Sequence, residues 1–239
     1  MKLACASGAF DRAIASGELT QLEFLEVCAH QLTCDGVVLD ARHFPRSDDD
    51  YLAQIKKLAT DWGLSIAALS DSRFFGASPE EMERTLARAL ALGAPLIAAP
   101  LGRLLDGSWS DQLERLNAAT ALAKAHNVTL AVRNVPDTFA AGTHDYRRTA
   151  KEADSAWLRY GPEPQALEAG SDAGALRDNT VLLWSDAATQ TERSIADVTT
   201  GFRGFLGFLA VDHRDGAADA ARMIAGVRQW RAALAQNAQ

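Results

Sequence analysis

Six ionisable residues stand at or just beyond the ends of short apolar runs: Asp40, Asp71, Arg133, Arg159, Asp186 and Asp212. If those runs are parallel strands of one closed sheet, their carboxyl ends share one face, and the six groups ring a single mouth. Carboxylates there can move protons within hydrogen-bond reach. Arginines stay charged and suit the two oxygens of a carboxylate or phosphate. A divalent cation needs several carboxylate or imidazole ligands converging on it, and two arginines in the ring work against that. Two plainer roles stay open. An Asp that ends a strand also caps a following helix, and Arg133 and Arg159 can simply pair with Asp186 or Asp212.

Further groups fall on the same predicted face. His43 follows Asp40 by three residues, His213 adjoins Asp212, Asn134 follows Arg133, and Trp109 comes after the fourth run. Either histidine can act as acid or base near neutral pH; Asp212 beside His213 makes it the better oriented of the two. Trp109 offers a ring for stacking on a sugar, or for packing against a neighbouring loop. His30 and His126 fall near helix ends, where a dipole contact accounts for them, and His144 opens a helical segment without an evident partner. Ser7 has no base near it in sequence. In the stretch after Asp40, the cationic Arg42 and Arg46 are offset by Asp48, Asp49 and Asp50, which read as a solvated loop leading into a helix.

The elements that must position these groups are regular. Eight apolar runs, at 3–6, 37–39, 64–69, 95–99, 128–132, 156–158, 181–184 and 205–211, lack polar alternation, as expected of parallel strands covered on both faces. Between them lie amphipathic segments. Thr20 with Glu23 and Ser78 with Glu81 read as capping boxes, with Pro79 at a first helical position. Gly63 and Gly93 stand where a left-handed helix end is wanted. Stripes of Leu52, Ile55, Leu58 and Trp62, then Met82, Leu86 and Leu90, then Ala220, Ile224, Val227, Trp230 and Leu234 mark buried faces. Eight strand–helix units in 239 residues predict a single (β/α)8 barrel spanning 1–239. An open doubly wound sheet is disfavoured by the lack of a glycine-rich phosphate loop after the first strand. The stretch 161–180 breaks the pattern and predicts a sixth helix reduced or replaced by a loop.

Composition narrows the partners. Lys plus Arg number 24 and Asp plus Glu 31, a net charge of −7 without a basic run, which excludes general nucleic-acid binding. No segment reaches the roughly 18 apolar residues of a membrane span. The three cysteines, Cys5, Cys28 and Cys34, form no close pair in sequence and read as reduced thiols of a cytoplasmic protein. Whether copies associate as a homo-oligomer is left open.

With these elements placed, 116–136 (LNAATALAKAHNVTLAVRNVP) resembles the fourth helix and fifth strand of sugar phosphate isomerase/epimerases and other xylose-isomerase-like barrels. The stretches 87–102, 36–40 (GVVLD), 182–186 (LLWSD) and 209–212 (LAVD) are similar to that family's fourth, second, seventh and eighth strands, in order and spacing across nearly the whole chain. The resemblance implies a barrel that interconverts or epimerises sugars. It also implies a divalent metal, held by a Glu after strand five, an Asp after strand six, a His near strand seven and a Glu after strand eight. Here those places hold Arg133, the neighbourhood of Arg159, Leu183 and Asp212, and the family's second-strand Glu falls at Val38. Asp186 keeps the trailing Asp of the strand-seven motif.

The expectation is a barrel acting on a small sugar, polyol or hydroxy-acid ligand, without cofactor or tightly bound metal. Asp212, His213 and Asp186 would move protons. Arg133, Arg159, Asn134, Asp40, His43, Asp71 and Trp109 would bind the ligand. The alternative is a barrel that has lost turnover and binds a ligand or partner. An apurinic-endonuclease role is discounted for want of metal ligands and a basic face.

Overall fold

The computed structural model describes residues 1–163, 178–186 and 202–209, with positions 218, 221, 222, 224–226 and 228 near the end of the chain. Eight strands form one parallel sheet: β1 (Lys2–Ala6), β2 (Gly36–Asp40), β3 (Ser65–Ser70), β4 (Leu96–Pro100), β5 (Thr129–Arg133), β6 (Leu158–Tyr160), β7 (Leu182–Asp186) and β8 (Phe205–Leu209). Their order is β6-β5-β4-β3-β2-β1-β8-β7, so each strand lies beside its sequence neighbours and the last returns to the first. The remaining seam, between β6 and β7, is drawn together by three backbone bonds. Tyr160 N–H donates to Asn179 C=O (2.9 Å), Val181 N–H to Tyr160 C=O (3.0 Å) and Trp184 N–H to Pro162 C=O (3.0 Å). The result is a nearly closed barrel.

Helices cover the outside: α1 (Asp11–Ser16), α2 (Gln21–Glu26, continuing through a π turn, Val27–Gln31), α3 (Asp49–Asp61), α4 (Pro79–Leu92), α5 (Trp109–His126) and α6 (Thr143–Ala153). Both expected capping boxes form, at Thr20/Glu23 and Ser78/Glu81, and Asp48 caps α3 by accepting the Tyr51 N–H. Gly63 and Gly93 adopt the left-handed backbone predicted for them (φ 72° and 75°). One stripe differs: Leu90 is exposed while Ala89 is buried, because the barrel lies under the i+3 rather than the i+4 neighbour of Leu86. The sixth strand also starts later than its apolar run. Ser155 Oγ accepts the Trp157 N–H (3.2 Å) and Ser155 C=O the Leu158 N–H (3.2 Å), a turn that delays extended backbone to Leu158 and leaves Arg159 inside β6 rather than at its end. The reduced sixth helix expected within 161–180 lies largely outside the described residues. So does most of the final amphipathic helix, of which Ile224 is buried. No helix among the described residues is long and apolar enough to cross a membrane.

Two cores result. The outer one, between sheet and helices, takes the large side chains: Leu3, Leu39, Leu69, Ile97, Leu130, Val132, Leu183 and Phe208 from the strands, and Phe24, Ile55, Leu86 and Leu116 from the helices. The inner one, inside the barrel, is built of Ala4, Ala6, Val38, Ala67, Ala68, Ala98, Ala131, Leu182 and one large ring, Trp184. Small residues on five strands leave the space that this indole fills. Gly161 completes the fit, since a Cβ there would stand 3.3 Å from Trp184 Nε1, closer than ordinary contact. Lower in the barrel Gly36 is tighter still: a Cβ there would lie 2.5 Å from the Ser65 carbonyl and 2.8 Å from the Phe205 ring. A strand carbonyl cannot retreat without breaking the β2–β3 ladder. Gly36→Ala is therefore expected to destabilise the fold by about 1–3 kcal/mol, read as a lowered midpoint of urea unfolding; an unchanged midpoint would contradict this packing.

Candidate functional site

The carboxyl ends of the strands bring two groups of polar residues to one face. The first sits over β5, β6 and β7. Arg133, the last residue of β5, lays its guanidinium on the Trp184 ring, 4.1 Å from Cζ to centroid. Cation–π contacts of this kind contribute about 0.5–2 kcal/mol, more as water is excluded. The Arg133 Nε is buried without a hydrogen-bond partner, as is Trp184 Nε1. Burial pushes the guanidinium below its ordinary pKa, while the charges of Glu163 and, further down the order, Asp40 pull the other way. The arginine keeps its proton throughout.

A hydrogen-bonded ledge supports it. Asn134 Oδ1 accepts the Glu163 N–H (2.7 Å), tying the end of β5 to the chain leaving β6. The Tyr146 hydroxyl donates to Val132 C=O (3.1 Å), the Tyr160 hydroxyl donates to Tyr146 C=O (2.7 Å), and the two rings pack 4.5 Å apart. Asn134 thus positions backbone.

The second group joins β1 to β2. Ser7 Oγ accepts the Asp40 N–H (2.8 Å) and meets His43 Nδ1 (2.8 Å), and His43 Nε2 meets Asp11 Oδ1 (2.8 Å). With Nε2 donating to Asp11, the neutral imidazole accepts the Ser7 proton at Nδ1, so every member is satisfied. Arg42 spans both carboxylates, 3.0 Å from Asp40 and 3.2 Å from Asp11. His43 is thus a buried bridge rather than a solvated loop side chain, and Asp40 is engaged by Arg42. Sequence reasoning missed the Ser7–His43 contact because its members are 36 residues apart; only the adjacency of β1 and β2 signals it.

Other expected site residues separate from the mouth. Arg159 Nη1 donates to Leu158 C=O (2.9 Å), and the residue lines a cavity of about 310 Å³ with Asp154, Ser155 and Asn179. The turn in that lining precedes β6, so the cavity opens toward the amino ends of the strands, away from Arg133. Trp109 packs between α5 and α6: its indole N–H donates to Glu152 (2.6 Å), Arg148 stacks on it at 4.2 Å and Phe139 lies 5.9 Å away. Packing, and not an open sugar platform, is what this ring does. Asp71 accepts the Arg73 N–H (3.0 Å) and the Thr85 hydroxyl (3.3 Å), closing the turn after β3. Asp186 ends β7 opposite Leu209; its side chain, Asp212 and His213 lie outside the described residues. Trp184 shares the inward strand face with Leu182, two residues before it, an alternation the sequence carries.

No three His, Cys, Asp or Glu side chains among the described residues are grouped to hold a metal ion. The described mouth does not fit one either: a guanidinium ends β5, and an indole lies on the inward face of β7.

A nearly closed eight-stranded parallel barrel, with an arginine stacked on an aromatic ring at the strand ends, defines the class as a β/α-barrel. Residues 27–176, more than half of the chain, match the family described as xylose isomerase-like TIM barrel, and the chain belongs to that family. No curated protein matches it in sequence. Among solved structures, an L-ribulose 3-epimerase superposes with a TM-score of 0.76 at 15% identity, over 100% of this chain and 98% of the other. A probable 3-DHS dehydratase involved in petrobactin synthesis, from Bacillus anthracis, gives 0.76 at 14%, over 95% and 99%. A 3-keto-D-glucoside 4-epimerase from E. coli gives 0.70 at 14%, over 97% and 99%. At these identities the likeness is one of fold.

The ledge makes a prediction for alkaline pH. Burial holds the Tyr146 phenol well above the ordinary tyrosine range and pushes Tyr160 up from 10.0 to about 12. The unfolded chain loses these protons from about pH 10 while the folded chain keeps them. Stability therefore falls as pH climbs from about 10 toward 12. Absorbance at 295 nm should show these two phenols ionising only with unfolding; free ionisation near pH 10 in the folded protein would contradict the buried ledge.

Proposed function

We propose that this barrel binds a small anionic sugar-like molecule, an aldonic acid or related hydroxy acid, at the strand ends, with Arg133 as its principal anchor and without a divalent metal. The observation that supports this most is the Arg133 guanidinium itself: stacked on Trp184, with a buried Nε that has no hydrogen-bond partner. A guanidinium held flat by a ring presents its N–H edge in a fixed plane, which matches a carboxylate.

In the chemistry suggested by the family, a proton is removed next to a carbonyl and the resulting negative oxygen must be stabilised. Arg133 N–H groups aimed at that oxygen would supply the stabilisation that relatives draw from a metal. The proton would pass to a carboxylate or imidazole at the mouth, for which Asp186, Asp212 and His213 are the candidates. Ser7, His43, Asp11 and Arg42 hold Asp40 and the β1–β2 side of the mouth in place. Three unpaired thiols support a reducing, cytoplasmic setting. A second reading, a barrel that binds without turnover, is favoured by one feature: the described mouth offers no carboxylate free of a structural duty, since Asp40 is held by Arg42 and Asp71 by its own turn.

The test is thermal unfolding of wild type, Arg133→Ala and Arg133→Lys with gluconate and with glucose 6-phosphate, each with and without Mn²⁺. A ligand at a hundred times its Kd stabilises by about 2.7 kcal/mol, roughly 5–10 °C for a domain of this size. The expected result is such a rise in wild type, the same with or without metal, smaller in Arg133→Lys and absent in Arg133→Ala. A rise that needs Mn²⁺, or that survives in Arg133→Ala, would sink the proposal.

A further inference from the structure

Three thiols scattered in sequence come together in the outer core, around the start of β2. Cys5 lies on the outward face of β1, Cys28 in the π turn after α2, and Cys34 two residues before β2; all are part of the core between sheet and helices. The way the helix ends brings Cys28 and Cys34 together. Leu32 N–H bonds Val27 C=O (2.9 Å), Thr33 turns left-handed (φ 49°), and Cys34 N–H returns to the carbonyl of Cys28 at 2.9 Å. In such a terminus the residue after the left-handed position folds back onto the last turn, side chain against side chain. Adding to that 2.9 Å bond the covalent spans from each Cα, ~1.5 and ~2.4 Å, caps the Cα separation at about 6.8 Å. Disulfides bridge Cα separations of about 4.4–6.8 Å.

The two thiols differ in character. Cys28 is fully buried, and burial first, then contact with Cys34 and Cys5, holds its proton well above the ordinary thiol range. Cys34 retains 9% exposure. The neighbouring Cys28 lowers its pKa; burial opposes this, the Arg228 charge assists, and Asp35 opposes more weakly. Arg228, exposed on the terminal helix, donates to the carbonyls of Leu32 (3.3 Å) and Thr33 and straps the turn.

We propose that Cys34 and Cys28 are a redox pair, which a low-molecular-weight disulfide converts into an intramolecular disulfide while Cys5 stays a thiol. The Cys34 thiolate attacks one sulfur of glutathione disulfide, forming a mixed disulfide and expelling one glutathione thiolate. That thiolate takes the Cys28 proton, and Cys28 then attacks Cys34 Sγ and expels the second glutathione, which is protonated by the proton Cys34 had released. Two protein thiols are oxidised and one small disulfide is reduced to two thiols. The bridge closes the turn that feeds β2, the strand that carries Asp40.

The experiment treats native protein with glutathione disulfide, quenches with acid, alkylates under denaturing conditions and maps the peptides by mass spectrometry. Wild type is expected to protect two of its three thiols, as a Cys28–Cys34 cross-link without retained glutathione. Cys28→Ser should instead keep one glutathione on Cys34, and Cys34→Ser should give neither product. Three free thiols in treated wild type, a cross-link through Cys5, or equal oxidation of Cys34→Ser would each overturn the proposal. The wild-type map decides alone if a serine variant fails to fold.

Discussion

The mouth depends on one indole standing in a barrel of small side chains. Trp184 fills space that Ala4, Ala68, Ala98 and Ala131 leave open, and Gly161 gives way to its Nε1 edge. An aromatic face carries negative charge at its centre, so a ring there creates a place for a cation even though its surroundings exclude water. Arg133 takes that place. Its stack with Trp184 joins β5 to β7 across the short sixth strand, beside the seam where the barrel closes through three backbone bonds instead of a full ladder. Filling the centre, seating the guanidinium and bridging the seam are thus consequences of one packing arrangement.

The opposite side of the mouth is organised without aromatic rings. Ser7 receives the amide of Asp40, His43 spans Ser7 and Asp11, and Arg42 bridges the two carboxylates. The serine and both imidazole nitrogens are hydrogen-bonded, and the arginine and two carboxylates are paired with one another. This contrast divides the mouth. The β1–β2 side is saturated, whereas the β5–β7 side keeps a cation with a buried, unpaired N–H.

How much of this was legible follows from what each signal depends on. The strands, caps and left-handed helix ends are local, and Thr20, Ser78, Pro79, Gly63 and Gly93 announce them within a few residues. The convergence of Asp40, Arg133 and Asp186 on one face also follows once strand order is known. What the sequence could not reveal is where a long side chain goes after leaving its strand. Arg159 bends toward the amino ends because a turn at Ser155 delays β6, and Trp109 is drawn into the gap between α5 and α6 by Glu152, Arg148 and Phe139. Two further juxtapositions were hidden for a related reason: Ser7 with His43 is set by tertiary placement, and Cys28 with Cys34 by the way a helix ends, rather than by any spacing a motif records.

The Arg133–Trp184 stack bears on how such a site changes over evolutionary time. Placing a carboxylate at Arg133 alone would set negative charge on the negative face of an indole in a poorly hydrated place, a repulsive arrangement. Shrinking Trp184 alone would open a void beneath a guanidinium that has lost its support. Each residue thus makes replacement of the other alone unfavourable. The two positions, on different strands, constrain one another as the sequence diverges.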